Sequence, residues 1–173
     1  MNPRSVRAFI VGAIAVGAVT MIQSSFAADN DKIAGSWKLV SYEVEVQATG
    51  QKGPVMGDHP TGYVSFTREG RVFFVLTGEA RKPAKTDQER AELLNTLVAY
   101  SGTYSVEGDT WTTNVEVAWN PEWVGTKQIR NFTLSGERLV VLTPWRVMPN
   151  WADKGMTRSI VTFERAGIAA PMR

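Results

Sequence analysis

From residue 36 onward the chain alternates apolar and polar positions with a period of two, the spacing of a strand that buries one face. The first run, Ser36 to Val46, sets Trp37, Leu39 and Ser41 on one side and Lys38, Val40 and Tyr42 on the other. Thr61 to Arg68 forms a second strand. Arg71 to Thr77 forms a third, with Val72, Phe74 and Leu76 alternating against Arg71, Phe73 and Val75. Thr103 to Val106, Thr110 to Trp119, Thr126 to Leu134, Arg138 to Thr143 and Met156 to Arg165 complete a set of eight, lettered A to H in chain order.

The punctuation between these runs is tight. Glu69-Gly70, Glu107-Gly108-Asp109 and Ser135-Gly136-Glu137 are hairpin signals, because Gly accepts the positive φ that short reversals need. Two connections are long and rich in Gly and Pro, Ala48 to Pro60 and Pro144 to Gly155; they read as loops at a barrel mouth. Thr86-Asp87-Gln88-Glu89 is a capping box, and the apolar positions Ala91, Leu94, Leu97 and Val98, with Ser101, predict an amphipathic helix of three to four turns between strands C and D. The expected place of that helix is the barrel wall or one end, with a mobile lid as the alternative.

Strands joined mostly by short turns pair with their sequence neighbours. With no helices to cover a face, a sheet of eight closes most economically into a barrel, which abolishes both edges. The fold expected is therefore all-β: an eight-stranded antiparallel up-and-down barrel with one inserted helix. Its interior has room for side chains or for one small ligand.

The N-terminal segment changes the picture of charge. Arg4 and Arg7 precede an apolar run from Ala8 to Ile22, and Ser25-Phe26-Ala27 places small residues at a cleavage site. Residues 1–27 are read as a signal peptide and residues 28–173 as one barrel domain, periplasmic or secreted and without a membrane span once the signal is removed. The whole chain carries 19 Lys+Arg against 17 Asp+Glu, and removing Arg4 and Arg7 levels the two at 17. That balance excludes nucleic acid as an electrostatic partner. With no cysteine, disulfides, thiolate catalysis and Cys-based metal sites are excluded together, and the six Trp and the Phe residues that follow the signal must supply the core.

Candidate chemistry is sparse. Arg130 and Glu116 lie on adjacent strands and, pointing inward, would pair in a lined cavity where an arginine suits a ligand carboxylate or carbonyl. Strand E leaves its facing open, because Trp111, Val115, Val117 and Trp119 make the opposite face the apolar one; Glu116 outward would be a surface salt bridge. Trp119, Trp123, Tyr63 and Phe74 are candidate ligand contacts, with Tyr42, Tyr100 and Tyr104 as further phenol donors or core residues. The single histidine, His59, lies between Asp58 and Pro60 in a loop and supports neither a zinc site nor a catalytic triad. No P-loop or dinucleotide fingerprint is present, and no metal or other cofactor is expected.

Gly35-x-Trp37 at the head of strand A resembles the first signature of the lipocalins and the wider calycin superfamily. The stretch Val115-Glu116 … Pro121-Glu122-Trp123-Val124-Gly125-Thr126 … Gln128-Ile129-Arg130 is similar to that of the bacterial and fungal lipocalin-like domain family. The resemblance spans about Ile33 to Arg165 and implies an exported, bacterial-type ligand-binding barrel without naming a ligand. It also implies that Trp37 seals the closed end under a basic residue of the last strand, Arg165 by position or else Arg158. This chain departs from the family in having Thr113 and Asn114 where related sequences carry histidine, and in lacking a helix after strand H.

The function expected is binding of a small hydrophobic or amphipathic molecule with a polar group. A cavity enzyme of the isomerase or cyclase kind, using Glu116, Tyr42 or Tyr63, is one alternative. A filled barrel that acts through its loops on a protein partner is the other.

Overall fold

A computed structural model of the chain describes residues 30–167. The signal peptide expected over residues 1–27 lies outside them, as does the end of the tail. The strands are β1 (Gly35–Val46), β2 (Lys52–Pro54), β3 (Thr61–Phe66), β4 (Arg71–Thr77), β5 (Leu97–Glu107), β6 (Thr110–Ala118), β7 (Lys127–Ser135), β8 (Arg138–Leu142), β9 (Arg146–Val147) and β10 (Met156–Arg165), with one helix, α1 (Asp87–Asn95). Antiparallel pairs run β1-β3-β4-β5-β6-β7-β8-β10, and β10 pairs back onto β1. Eight strands therefore close into a barrel. β2 and β9 are short additions on β1 and β10, formed inside the two long loops expected to be irregular.

The expected alternation holds through β4, where Val72, Phe74 and Leu76 are buried and Phe73 and Val75 face solvent. It fails halfway along β1. The register with β10 slips between Leu39 and Ser41, so Trp37 and Leu39 point inward before the bulge while Tyr42 and Val44 do so after it. One extra residue in a strand inverts the parity of everything beyond it. Tyr42 thus enters the interior instead of sharing the outer face with Lys38.

The helix is shorter than the periodicity predicted. The capping box forms: Glu89 N donates to Thr86 Oγ1 at 3.2 Å and Thr86 N to Glu89 Oε2 at 3.0 Å. The helix then ends at Asn95, buries none of its residues and gives way at once to β5. Leu97, Val98 and Ser101 belong to that strand, which starts well before the predicted Thr103. Val98 and Tyr100 are buried by period-two alternation, and full pairing with β4 outcompetes another helical turn. α1 lies against the 3₁₀ segment Pro149–Lys154, where Asn150 Nδ2 donates to Asn95 O at 2.9 Å.

A second bulge sits in β6, where Gly102 of β5 faces Val115 and Ser101 faces Val117. Below it, Trp111, Thr113 and Val115 point inward. The core is aromatic along its length. Phe66 packs edge-on to Trp111 with centroids 5.1 Å apart, and Phe74 stacks on Tyr100 at 4.5 Å. Tyr100 in turn meets the edge of Trp123 at 5.7 Å. Among the described residues no helix is long and apolar enough to cross a membrane.

Candidate functional site

The interior cavity lies between this aromatic column and the strands opposite. Its apolar wall is made by Phe74, Leu76, Tyr100, Trp123, Val161 and Phe163. Its polar groups are Arg130, Arg146, Tyr42 and Thr143. It measures about 20 Å³, the room of about one water molecule, so the side chains themselves nearly fill it.

Arg130 enters because β7 pairs with β6 in the register that sets it opposite Trp111, which is itself fully buried. Only 5 % of Arg130 is exposed. Arg146 arrives from the other side, on the two-residue strand β9 in the loop after β8. One atom holds the two guanidiniums. Arg130 Nη2 donates to Gln128 Oε1 at 3.1 Å, and Arg146 Nη1 donates to the same oxygen at 2.6 Å. Arg130 Nη1 also donates to the carbonyl of Ile129 at 2.8 Å. The Gln128 amide is oriented by its other end, since Nε2 donates to Thr126 Oγ1 at 3.1 Å and Thr126 Oγ1 donates to Trp123 O at 2.7 Å.

Among the described residues no carboxylate lies within salt-bridge distance of either arginine, and no Asp, Glu or His lines the cavity. The consequence is visible in Arg146, whose guanidinium falls from its ordinary range to about 10, first through burial and then through repulsion by Arg130. Its charge is partly spread over the Trp123 ring, whose centre is 5.3 Å away. Burial raises the Tyr42 and Tyr100 phenols above their ordinary range. For Tyr42 a 2.9 Å hydrogen bond with Ser159 Oγ works in the opposite sense. Of the residues that line the cavity, Trp111 and Arg146 each hold a buried donor without an acceptor, Nε1 and Nε respectively.

Of the six residues expected from the sequence to meet a ligand, Arg130, Trp123 and Phe74 line the cavity. Trp119 stands behind them, its ring 6.0 Å from Trp123. Tyr63 is 50 % exposed on the outer face of β3. Glu116 is also outside, bound to Arg71 at 2.9 Å with both side chains nearly half exposed. The reason is the parity of β6: Trp111, Thr113 and Val115 take the interior, which leaves Glu116 to solvent at the bulge. The Glu116–Arg130 pair therefore does not form, and neither Glu116 nor Tyr63 is placed to serve as an acid or base in the cavity. His59 is exposed in its loop and binds through its backbone N–H to Glu79 Oε2 at 3.2 Å. Among the described residues no cluster of three His, Asp or Glu side chains is placed to hold a metal ion.

Two residues of this arrangement, Gln128 and Arg146, were not among the site candidates of the sequence. Gln128 shared the parity of Arg130 but carries no charge to draw notice. Arg146 stands in a Pro- and Trp-containing loop, where a cation reads as solvated.

A search with family models finds a lipocalin-like domain over residues 34–166. No curated protein matches the chain.

Proposed function

The chain belongs to the lipocalin-like domain family, and from that premise we propose that its barrel binds a small apolar or amphipathic molecule by its polar group, outside the cytoplasm. The observation that carries the reading is the meeting of Arg130 and Arg146 on one amide oxygen inside an aromatic cavity. Holding a buried charge without a counter-charge costs several kcal/mol, and apolar side chains of similar volume would fill the space more stably. A barrel that keeps a buried and a partly buried guanidinium side by side is organised for something that meets them there.

The apolar body of the ligand would lie against Phe74, Tyr100 and Trp123, gaining roughly 25 cal/mol per Å² of buried surface before ordering costs. Because the cavity is narrow, entry requires Arg146 to swing out, together with the 3₁₀ turn Pro121–Trp123 on which it rests. Both belong to mouth loops, the segments that most often move on binding. Action outside the cytoplasm rests on the leader pattern of residues 1–27.

The test is native mass spectrometry of the chain expressed with its leader and released gently from the periplasm, followed by denaturation and identification of what dissociates. The expected result is a polypeptide beginning at Ala28 with a small molecule bound near one to one, which is lost in the Arg130→Met/Arg146→Met double variant. The narrowness of the cavity favours a second reading, a filled barrel working through its loops on a protein partner. Recovery of protein without a small molecule, and no change in tryptophan fluorescence across a panel of amphiphiles, would establish that reading against the first.

A further inference from the structure

We infer that the polar group this cavity selects is a carboxylate, seated between Arg130 and Arg146 in the position that Gln128 Oε1 now occupies. The inference rests on the binding reading above and names its ligand class, a small apolar carboxylic acid.

The first argument is a count of donors and acceptors. Arg130, Arg146 and Trp111 all line the cavity, and the buried Trp111 Nε1 and Arg146 Nε have no acceptor. The acceptor the two arginines do share is a neutral amide oxygen, one atom receiving two charge-assisted donors. An incoming acceptor satisfies groups that are otherwise stranded in a dry site, whereas an incoming donor strands more of them.

The second argument is charge. Each guanidinium is a fork of parallel donors matched to the two oxygens of a carboxylate. With no Asp or Glu in the cavity, the compensating negative charge must come from the ligand. The third argument is shape. Beyond the arginines the wall is mostly apolar, with Phe74, Leu76, Val98, Val161 and Phe163 facing the hydroxyls of Tyr42, Tyr100 and Thr143, and it suits a hydrocarbon or ring behind a two-oxygen head. Gln128 can yield its place by a rotation of its side chain, because only Thr126 holds the far end of the amide.

The experiment is a fluorescence titration of the full chain, reading the cavity tryptophans, with four probes: decanoate, decanamide, 1-decanol and acetate. Decanoate is expected to bind, with decanamide and decanol weaker by about tenfold or more, the loss expected when charged hydrogen bonds are removed. Acetate, a head without a body, is expected to be weaker still. Gln128→Glu places a carboxylate where the ligand's would sit. It is expected to raise the Tm of the unliganded protein by about 2–4 °C and to abolish the preference for decanoate over decanamide. Decanamide binding as tightly as decanoate would overturn the carboxylate inference and leave the binding reading standing. Acetate binding as tightly as decanoate would overturn it in favour of a simple anion site. A Gln128→Glu protein with a lowered Tm would show that the arginines do not seek negative charge. Binding of none of the four would sink the binding reading and the inference together.

Discussion

The guanidinium of Arg165 lies 4.1 Å from the centre of the Trp37 ring, and the two residues face each other across the β1–β10 pairing that closes the barrel. Trp37 is fully buried and its Nε1 donates to Ile33 O at 2.8 Å, while Arg165 Nη1 donates to Ala34 O at 3.0 Å. The pair therefore ties the last strand both to the first and to the segment before it. Gly35 makes the approach possible: its φ is +118°, and a Cβ there would come within 2.9 Å of the Arg165 guanidinium. Trp37→Ala is expected to lower stability by about 3–5 kcal/mol as a large core truncation. Arg165→Met is expected to lower it by about 0.5–2 kcal/mol through the lost cation–π contact. In urea unfolding the second change should have little further effect once the first is made; full additivity would show that the two rings of interaction are independent.

Gly102 carries the β5–β6 junction. A Cβ at this position would fall 1.9 Å from the carbonyl oxygen of Asn114, a backbone atom that cannot move aside without opening the ladder. Overpacking of a side chain against its neighbours costs about 1–3 kcal/mol, and against backbone the upper end applies. Gly102→Ala is thus expected to lose about 3 kcal/mol in urea unfolding, and a variant of unchanged midpoint would mean that the bulge relaxes freely.

Glu116 and Arg71 form an exposed pair remote from the cavity. Glu116→Gln is expected to change stability by less than about 1 kcal/mol. It should leave decanoate titrations superimposable on those of the unaltered chain, and a weakened titration would return Glu116 to the site.

Much of the architecture was legible because the barrel is a repetition of one local rule. The inward residues of β4 and the three tight reversals follow from period two and from glycine placement alone, and closure follows from the strand count. What was not legible depends on bulges. Tyr42 changes face because of one extra residue near Val40, a feature without a composition signal. The length of α1 was misjudged because Leu97 and Val98 satisfy a helical stripe and a strand edge equally well, and only pairing with β4 decides. At the site, Arg130 could be placed from the parity of its strand. Its partnership with Arg146 could not, since it joins a strand to a loop through the uncharged Gln128.

The buried phenols define an alkaline transition. Burial pushes Tyr104 from its ordinary 10.0 up to about 12, and the Tyr42 and Tyr100 phenols are raised for the same reason. Between those values the folded chain keeps a proton that the unfolded chain releases, so stability falls as pH rises. The contribution is present in full below about pH 10 and is lost on passing through about 12. Arg146 acts in the opposite sense: with its folded value lowered to about 10, its unfavourable charge is relieved as pH climbs past 10. Arg146→Met removes the opposing contribution, and in that variant urea midpoints are expected to decline from pH 10 to 12. Tyr104→Phe should make the decline shallower, and an unaltered slope would remove Tyr104 as a cause.

Arg146 is where binding and stability oppose each other. It sits beside a like charge, draws only on the neutral Gln128 oxygen and the Trp123 face, and leaves its Nε without an acceptor. Arg146→Met keeps an apolar stem of similar reach, removes the repulsion on Arg130 and leaves that residue its bond to Gln128. The unliganded variant is therefore expected to be more stable than the parent by up to about 1 kcal/mol, because replacing a partly buried, uncompensated ion by a hydrophobe is neutral to favourable. Its affinity for decanoate is expected to fall about tenfold or more. Urea unfolding with and without decanoate measures both terms on one protein. A variant that loses stability in the absence of decanoate would mean that Arg146 is held by the fold for its packing, whereas a gain in stability accompanied by a loss of binding places its charge at the site for a ligand.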